Sequence, residues 1–397
     1  MATSCPEPRV RGTSNGLAVR SANMQAALNV LRDGTSLASA QIGRVLGLHS
    51  STVARLMYAL ETAELVRGED DRAGTSVGRP RKLWSLSREA GFVVGLAVHP
   101  MTIRGVVVDL SGAPLTRRSA SFDPPLTADA LVDAVRDLTL SLTDGLAPGR
   151  VFGVGAGASG VVDPDAGVVR LSGALFTRPG VFATDYPLRA QLERALPWPV
   201  QLANDANLGA LATFREQVRD GTLSAGGSLL YVIAVESLWG FGAGVIIGGR
   251  LYLGAHGAAG ELLHPRLLSA PPDWGDLPRR ALGGDPDARG EVIEALRPMF
   301  EHLVALTLTI DTDCLVLGGA FAALGRPLQQ TLAEMMVATP GFGAHLVDLP
   351  ERGIILDPRW PDTVALGAGE LVLEGVFREP SAREPGPLVR LALEGTG

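Results

Sequence analysis

The chain has 397 residues, of which 46% are hydrophobic and 19% charged, and this composition excludes a largely disordered protein. A net charge of −7 argues against a protein that coats nucleic acid along its whole surface. The charge is unevenly distributed, because residues 1–86 hold 11 Lys+Arg and 7 Asp+Glu, a net of +4, and the remainder carries −11. We therefore expect only the basic N-terminal part to meet a polyanion.

Cysteine usage and hydropathy favour a cytoplasmic protein without a membrane segment. Cys5 and Cys314 lie far apart, in a polar tail and in an apolar run, and indicate neither a disulfide framework nor a metal cluster. The N-terminus lacks the apolar stretch of a signal peptide. The most apolar stretch, residues 229–255, is interrupted by Glu236, Arg250 and several glycines, which is typical of buried strands.

Three short helices are predicted after a tail over residues 1–20 that we expect to be disordered. The first begins at residue 21, the second begins near Ser39 and ends at Gly47, and the third runs from Ser50 to about Glu64. The apolar residues expected to face inward are Met24, Ala27, Leu28 and Leu31, then Ile42, Val45 and Leu46, then Val53, Leu56, Met57 and Leu60. Ser50 and Ser51 are the candidate N-caps of the third helix. Two short helices joined by a tight glycine-containing turn indicate a helix-turn-helix.

A β-hairpin wing is predicted after the third helix. Two short apolar segments flank a polar loop whose tip is the sequence Gly-Arg-Pro-Arg-Lys, residues 78–82. Helices, turn and cationic hairpin together define a winged helix-turn-helix domain over residues 21–88. The alternative interpretation is a small helical interaction domain with a solvated basic loop.

DNA contacts are expected from two places in this domain. The second helix of a helix-turn-helix lies in the major groove, where the residues at its N-terminal end reach the base edges. Cations on a wing are favoured by the negative potential of the minor groove. The residues predicted to meet operator DNA are His49, Ser50, Ser51, Thr52 and Arg55 on the helix and Arg79, Arg81 and Lys82 on the wing.

The rest of the chain predicts two α/β lobes. GFVVGLAV, TIRGVVVDL and LTRRSASF read as three strands, followed by a helix at about 127–144 and the strand VFGVGAGA. This β-β-β-α-β order belongs to the actin-like ATPase architecture, in which the unit occurs twice around a cleft. We assign residues 89–227 to the first lobe, 228–376 to the second and 377–397 to a C-terminal segment. The second lobe should begin at SLLYVIAV, continue through GAGVIIGG and RLYLG, and include a helix near 290–310 and the strand CLVLGG.

Several strings resemble the regulator branch of the ROK family, whose name stands for repressors, open reading frames and kinases. They are GVGAGASGVVDPDAGVV, LANDANLGALA, GAGVIIGGRLYLGAHGAAGELLH, VLGGAF and the wing-like VGRPRKL. The resemblance implies a sugar pocket between the lobes, in which the aspartate is the catalytic base of the kinase members. The pocket residues it implies here are Gly157, Ser159, Asn204, Asp205, Glu261 and His264. Without the resemblance, Asn204 and Asp205 would be read as a strand-end turn or helix N-cap, and His264 as an interior histidine.

The chain departs from the kinase pattern at the loops that hold phosphate. The kinase members end their first strand in Asp-x-Gly, where this chain has Ala97-Val98-His99, and their Gly-Thr-Gly loop aligns with Leu238-Trp239-Gly240. Phosphoryl transfer depends on positioning and charge neutralisation, so these changes predict a domain without kinase activity. The family's cysteine-rich zinc run is missing after His264, and one histidine cannot supply the roughly four ligands of a structural zinc. We therefore expect no cofactor.

Three functions remain open from the sequence. The first is a DNA-binding homodimer or tetramer, a repressor that responds to a sugar-like effector. The second is an ATP-dependent sugar kinase carrying a DNA-binding head. The third is a ligand-independent DNA-binding dimer whose large domain serves only in dimerisation.

Overall fold

The computed structural model describes residues 13–32, 36–71, 82–178, 180–234, 240–255, 257–261, 274–339, 353–378 and 386–394. The helices are α1 (Thr13–Leu31), α2 (Ser39–Leu46), α3 (Ser50–Thr62), α4 (Ala128–Thr143), α5 (Leu188–Ala195), α6 (Asp205–Arg219), α7 (Leu277–Leu282), α8 (Pro286–Ala295), α9 (Arg297–Ile310), α10 (Ala320–Leu324), α11 (Arg326–Ala338), α12 (Asp362–Phe377) and α13 (Pro387–Glu394), with a 3₁₀ turn at Pro148–Arg150. The strands are β1 (Leu37–Ala38), β2 (Val66–Asp70), β3 (Lys82–Leu86), β4 (Phe92–His99), β5 (Thr102–Asp109), β6 (Pro114–Ser121), β7 (Val151–Ala158), β8 (Val161–Asp163), β9 (Val168–Arg178), β10 (Val181–Tyr186), β11 (Val200–Asn204), β12 (Leu229–Ala234), β13 (Phe241–Ile247), β14 (Arg250–Leu251), β15 (Cys314–Gly319) and β16 (Ile354–Asp357). Across these ranges, no helix combines the length and the apolar character needed to cross a bilayer.

The first three helices and the first three strands form a winged helix-turn-helix, as predicted. β2 and β3 are the two antiparallel strands of the wing, and the short β1 pairs with β3 to give the sheet order β1-β3-β2. Trp84 on β3 is buried, and its indole N–H donates to the Ser39 hydroxyl at 2.9 Å. This bond fixes the wing to the start of α2. The wing tip, with Arg79 and Arg81, lies outside the described residues.

Local details of this head differ from the sequence predictions. α1 begins at Thr13 rather than at residue 21, and because residues 18–20 are exposed this part of the helix left no apolar periodicity to detect. The N-cap of α3 is His49, without a side-chain cap bond, so the assignment of Ser50 and Ser51 as caps was wrong. Val45 is 66% exposed rather than inward-facing.

The two lobes repeat one topology. The sheet of the first lobe has the order β11-β7-β4-β5-β6, and that of the second lobe has the order β14-β13-β12-β15-β16. In each lobe the first strand pairs antiparallel with the strand that follows it and parallel with the strand that comes after the helices. A small antiparallel sheet, β10-β9-β8, adds to the first lobe. The predicted duplicated α/β fold is confirmed.

Helices α6 and α12 pack on opposite lobes and against each other. α12 lies on β4, β5 and β7 of the first lobe, whereas the buried face of α6 packs on β12 and β13 of the second. Each helix lies close to the sheet that it covers. A Cβ on Gly155 of β7 would lie 2.0 Å from the carbonyl oxygen of Ala368 on α12, and a Cβ on Gly244 of β13 would lie 2.3 Å from that of Ala206 on α6. The contact between these two helices therefore joins the lobes.

The C-terminal part of the chain returns to the first lobe and then to the head. The prediction placed residues up to 376 in the second lobe, but α12 covers the sheet of the first. α13 packs against α1 and α3, and Leu388, Val389 and Ala392 share one apolar core with the head and with α12. The head is therefore packed onto the body instead of being attached by a linker alone.

Candidate functional site

The carboxyl ends of three parallel strands meet at the cleft. β4, β7 and β11 run parallel, with Ala97 opposite Gly157 and Ala158 opposite both Val98 and Asn204. Ligands of α/β sheets bind beyond the carboxyl ends of the strands, at this kind of edge. The cavity there is lined by Ala97, Val98, His99, Thr102, Gly157, Ser159, Asp205, Trp360, Pro361 and Val364.

Asp205 is the acidic group of this cavity and starts α6. Its Oδ2 accepts a hydrogen bond from the Ser159 hydroxyl at 2.5 Å, and its Oδ1 accepts one from the backbone N–H of Ala206 at 2.8 Å. Burial raises the pKa of Asp205, while the Ser159 hydroxyl and the Ala206 N–H oppose the rise because they stabilise the ionised form. Ser159 and Asp205, both predicted as ligand-binding residues, are thus joined by a hydrogen bond, and their binding role stays a prediction.

Glu261 lies near enough to Asp205 for the two charges to interact. Burial raises the pKa of Glu261, and the negative charge of Asp205 raises it further. Two carboxyl groups near one cleft suit the recognition of hydroxyl groups, since each accepts hydrogen bonds when ionised and donates one when protonated. His264, predicted to join them, lies outside the described residues.

Asn204 holds the local backbone in place. Its Oδ1 accepts from the backbone N–H groups of Ala206 and Asn207 at 2.9 and 3.3 Å, which makes it the N-cap of α6. Its Nδ2 donates to the carbonyl oxygen of Gly160 at 2.8 Å. Both polar atoms of the side chain therefore have partners within the protein, and the N-cap interpretation of this residue describes its geometry.

Gly157 lines the cavity and also allows the two interlobe helices to approach β7. A Cβ at this position would lie 2.7 Å from side-chain atoms of both Leu208 on α6 and Val364 on α12. Its place is therefore explained by packing, independently of any ligand.

Four residues that line the cavity were not predicted from the sequence, namely Thr102, Trp360, Pro361 and Val364. Thr102 begins β5, and Trp360 and Pro361 connect β16 to α12, more than 150 residues after Asp205 in the chain. The buried indole N–H of Trp360 has no hydrogen-bond partner among the described residues. Nothing local in the sequence marks Trp360 and Pro361, because only the return of the chain to the first lobe brings them to the cleft, whereas Thr102 lies opposite His99 across the β4–β5 turn.

The departures from the kinase pattern are partly visible at this edge. Ala97 is buried at the end of β4, and His99 follows it in the cavity lining, where its Nδ1 accepts from the backbone N–H of Met101 at 3.3 Å. Leu238 and Trp239 of the second loop lie outside the described residues. Among the residues that the structure does describe, no group of three His, Cys, Asp or Glu side chains is arranged to hold a metal ion.

A second candidate site is the outward face of α3. His49, Ser50, Ser51 and Arg55 are exposed, and Thr52 is half-buried, in agreement with the predicted orientation of this helix. Tyr58 is 71% exposed one turn beyond Arg55, and its position seven residues after Ser51 could have identified it from the sequence. Arg44 on α2 is also exposed and was not predicted.

Lys82 differs from the prediction that placed it at the wing tip. It begins β3 opposite Asp70, and its ammonium group donates to both carboxylate oxygens of Glu61 at 2.7 and 3.0 Å. The same ammonium lies 4.4 Å from the centre of the Trp84 ring. The charge of Lys82 is therefore already paired within the head.

Known proteins similar to this chain include both regulators and kinases. The xylose repressor of Bacillus subtilis strain 168 is 28% identical over 249 residues, which cover 62% of this chain and 60% of the repressor. The glucokinase of Streptomyces coelicolor is 28% identical over 179 residues, 45% of this chain and 50% of that enzyme. The chain thus spans about 60% or less of the length of these relatives.

The fold has a counterpart among solved structures, and part of the chain matches a family model. The crystal structure of a ROK family transcriptional regulator, described as a homologue of the E. coli MLC protein, matches with a TM-score of 0.65 at 14% identity. The match covers 95% of this chain and all of that one, so the regulator shares the whole fold. The ROK family model matches residues 93–273. Residues 93–273 therefore match a ROK family domain, and a winged helix-turn-helix precedes them.

Proposed function

We propose that the protein is a DNA-binding transcription regulator, a repressor that acts in the cytoplasm as a homodimer and responds to a sugar. The observation that carries this proposal is the pairing of an exposed polar face on α3 with a ROK cavity built around Asp205. Repressors and kinases both occur among the relatives, so the head and the cavity have to be argued separately.

The head supports binding to duplex DNA. Arg55 projects from the solvent-facing side of a helix whose N-terminal residues carry hydroxyl groups, a combination suited to guanine edges and phosphates. A single head would cover only one half-site, and a homodimer would place two recognition helices about one helical turn of DNA apart. The dimeric state is part of the proposal for this reason.

The cavity supports a sugar ligand. Of the residues that line the cavity, Asp205 supplies hydrogen-bond acceptors, Ser159 can donate or accept, and Trp360 offers an indole N–H that has no partner among the described residues. Glu261 lies close enough for its charge to interact with that of Asp205. A sugar hydroxyl would compete with Ser159 for the Asp205 carboxylate. Because of the relatives named xylose repressor and glucokinase, D-xylose and D-glucose are the first sugars to examine.

We infer further that the domain does not transfer phosphate. In the cavity lining, Ala97 provides no carboxylate to support a metal ion, and the imidazole of His99 occupies volume where the family's glycine leaves room for phosphate. The carboxylate of Asp205 remains, but a general base cannot promote phosphoryl transfer when no phosphoryl group is positioned beside the substrate. Asp205 would therefore act as a ligand-binding group.

Two assays on the full-length protein test this proposal. Fluorescence anisotropy with DNA from upstream of its own gene should show specific binding that weakens with added salt and changes on adding D-xylose or D-glucose. An ADP-release assay with ATP and the same sugars should show no turnover. Turnover that is abolished in Asp205→Asn would establish a kinase instead. DNA binding without any sugar response, together with no sugar-dependent thermal shift, would favour the ligand-independent dimer.

A further inference from the structure

Glu370 on α12 lies where the head and both lobes meet. Its side chain is 6% exposed, and each of its two carboxylate oxygens accepts a hydrogen bond from a different arginine. Oε1 accepts from Nη1 of Arg219 at 3.0 Å, and Oε2 accepts from Nη2 of Arg32 at 3.1 Å. Arg219 ends α6, which packs on the second lobe, whereas Arg32 directly follows α1 of the head.

The contact between Arg219 and Glu370 is closely packed. Nη1 of Arg219 also donates to the carbonyl oxygen of Ser111, at 3.2 Å, in the turn between β5 and β6. In the same turn, a Cβ on Gly112 would lie 2.5 Å from both Nη1 of Arg219 and Oε1 of Glu370. Because the carboxylate is nearly buried and Oε1 accepts from Arg219, a displacement of Arg219 would remove one of the two hydrogen bonds that hold Glu370.

The contact between Glu370 and the head is supported by the last turn of α12. The guanidinium of Arg32 lies 5.0 Å from the centre of the Phe377 ring, and the side-chain amide of Gln25 donates to the Phe377 carbonyl oxygen at 3.3 Å. α1 is therefore joined to α12 by an ion pair, a cation–π contact and a hydrogen bond. A change at Glu370 directly alters the ion pair with Arg32.

Both helices that meet at Glu370 begin at the ligand cavity. α6 starts with Asp205, and α12 follows Pro361 and carries Val364 in the cavity lining. They pack so closely that a Cβ on Gly367 of α12 would lie 1.9 Å from the carbonyl oxygen of Leu208. α6 is a rigid element of roughly 21 Å, so a rotation of the second lobe at the cavity moves Arg219 at its far end.

We propose that Glu370 is a positioning residue that couples the position of the second lobe to the DNA-binding head through Arg219 and Arg32. The inference rests on the proposed function for its biological meaning, because it describes how the cavity would control DNA binding. A rotation of the second lobe would change the Arg219–Glu370 contact. Since the two arginines share one carboxylate, it would also change the ion pair between Glu370 and Arg32 at the end of α1. The Arg219 contact and the Arg32 contact are thereby linked reciprocally.

Hydrogen–deuterium exchange on the full-length protein tests this coupling. Arg219→Met removes a group of α6 that bonds Glu370, and exchange in the last turns of α1, residues 25–31, should become about fivefold faster. Arg215→Met is the matched control, because Arg215 pairs with Glu374 at 2.6 Å and joins the same two helices one turn away. This control should leave exchange in residues 25–31 as in the wild type.

A second variant guards against a folding defect. Glu370→Gln keeps the shape of the side chain but removes the charge and replaces one accepting oxygen with an NH2 group that cannot accept from an arginine, so it should also speed exchange in residues 25–31 without changing that of β12. Unchanged α1 exchange in Glu370→Gln, or equal α1 exchange in Arg219→Met and Arg215→Met, would overturn the proposal. The measurement uses neither DNA nor sugar, so a failure of the proposed function would appear separately, as absent operator binding by the wild type.

Discussion

The face of α3 and the cavity at the start of α6 carry similar side chains in opposite states. On α3, Ser50, Ser51 and Arg55 are exposed to solvent. In the cavity, Ser159 and Asp205 are bonded to each other at 2.5 Å. Hydroxyl and charged groups thus face outward at one site and are satisfied within the protein at the other.

The face of α3 can therefore bind a ligand without breaking a contact inside the protein, whereas the cavity cannot. A ligand of α3 gains hydrogen bonds in exchange for water alone, whereas a ligand of the cavity has to displace the Ser159 hydroxyl from Asp205. We therefore expect rigid docking at the head, as is common for interfaces that hardly move on binding, and rearrangement at the cavity. A site that rearranges on binding is suited to a sensor, since its two states differ in contacts.

The largest effect that would test this comparison is expected at Arg55. Arg55→Ala should weaken operator binding by about tenfold or more, because one well-placed base-edge arginine accounts for roughly 1–3 kcal/mol. Anisotropy at two salt concentrations measures both the affinity and its salt slope. Arg297→Ala is the matched control, as it removes an exposed arginine from α9 in the second lobe. Equal affinities for the two variants would show that α3 does not read DNA in this way.

A smaller effect is expected at the cavity, where the pKa of Asp205 is raised by burial. Because the protonated form is favoured in the folded state, the stability linked to this group is present at low pH and is lost as pH rises through the raised pKa. Asp205→Asn should therefore melt about 2 °C above the wild type at pH 7 without ligand, and the gap should close as the pH falls toward the ordinary range of aspartate.

Calorimetry from pH 4 to pH 8 measures this gap, with Asp165→Asn as a control at an exposed aspartate. The control should melt like the wild type throughout. A lower melting temperature for Asp205→Asn at pH 7 would mean that the ionised carboxylate stabilises the apo cavity, and the comparison between a satisfied cavity and an open head would then need revision.

Much of the fold could be predicted from the sequence because its signals are local. The apolar runs of β4, β7, β12 and β15 stand at the expected places, and their order fixes the duplicated topology. The string LANDAN located both the end of β11 and the start of α6, and hence Asp205. These features depend on residues close together in the chain.

What could not be predicted depends on contacts between distant residues. α12 is apolar enough to pack on either lobe, and only the three-dimensional course of the chain places it on the first. The same return brings Trp360 to the cavity and Glu370 to Arg32, 338 residues away in sequence. The contacts that join the cavity to the DNA-binding head therefore leave no common signal in the linear sequence.

The smallest effect is expected at Lys82, which the sequence grouped with the wing arginines and which the structure pairs with Glu61. A phosphate contact would replace the pair with Glu61 by another exposed ion pair. Exposed ion pairs each contribute about 0–1 kcal/mol, so the difference between the two adds little binding energy. Lys82→Met should keep the aliphatic contact with Trp84, change operator affinity by less than about twofold and leave the salt slope unchanged. Anisotropy at two salt concentrations, beside Arg55→Ala, makes the measurement. A salt slope reduced by about one would place the ammonium of Lys82 on a phosphate. The start of β3 would then belong to the DNA-binding surface together with α3.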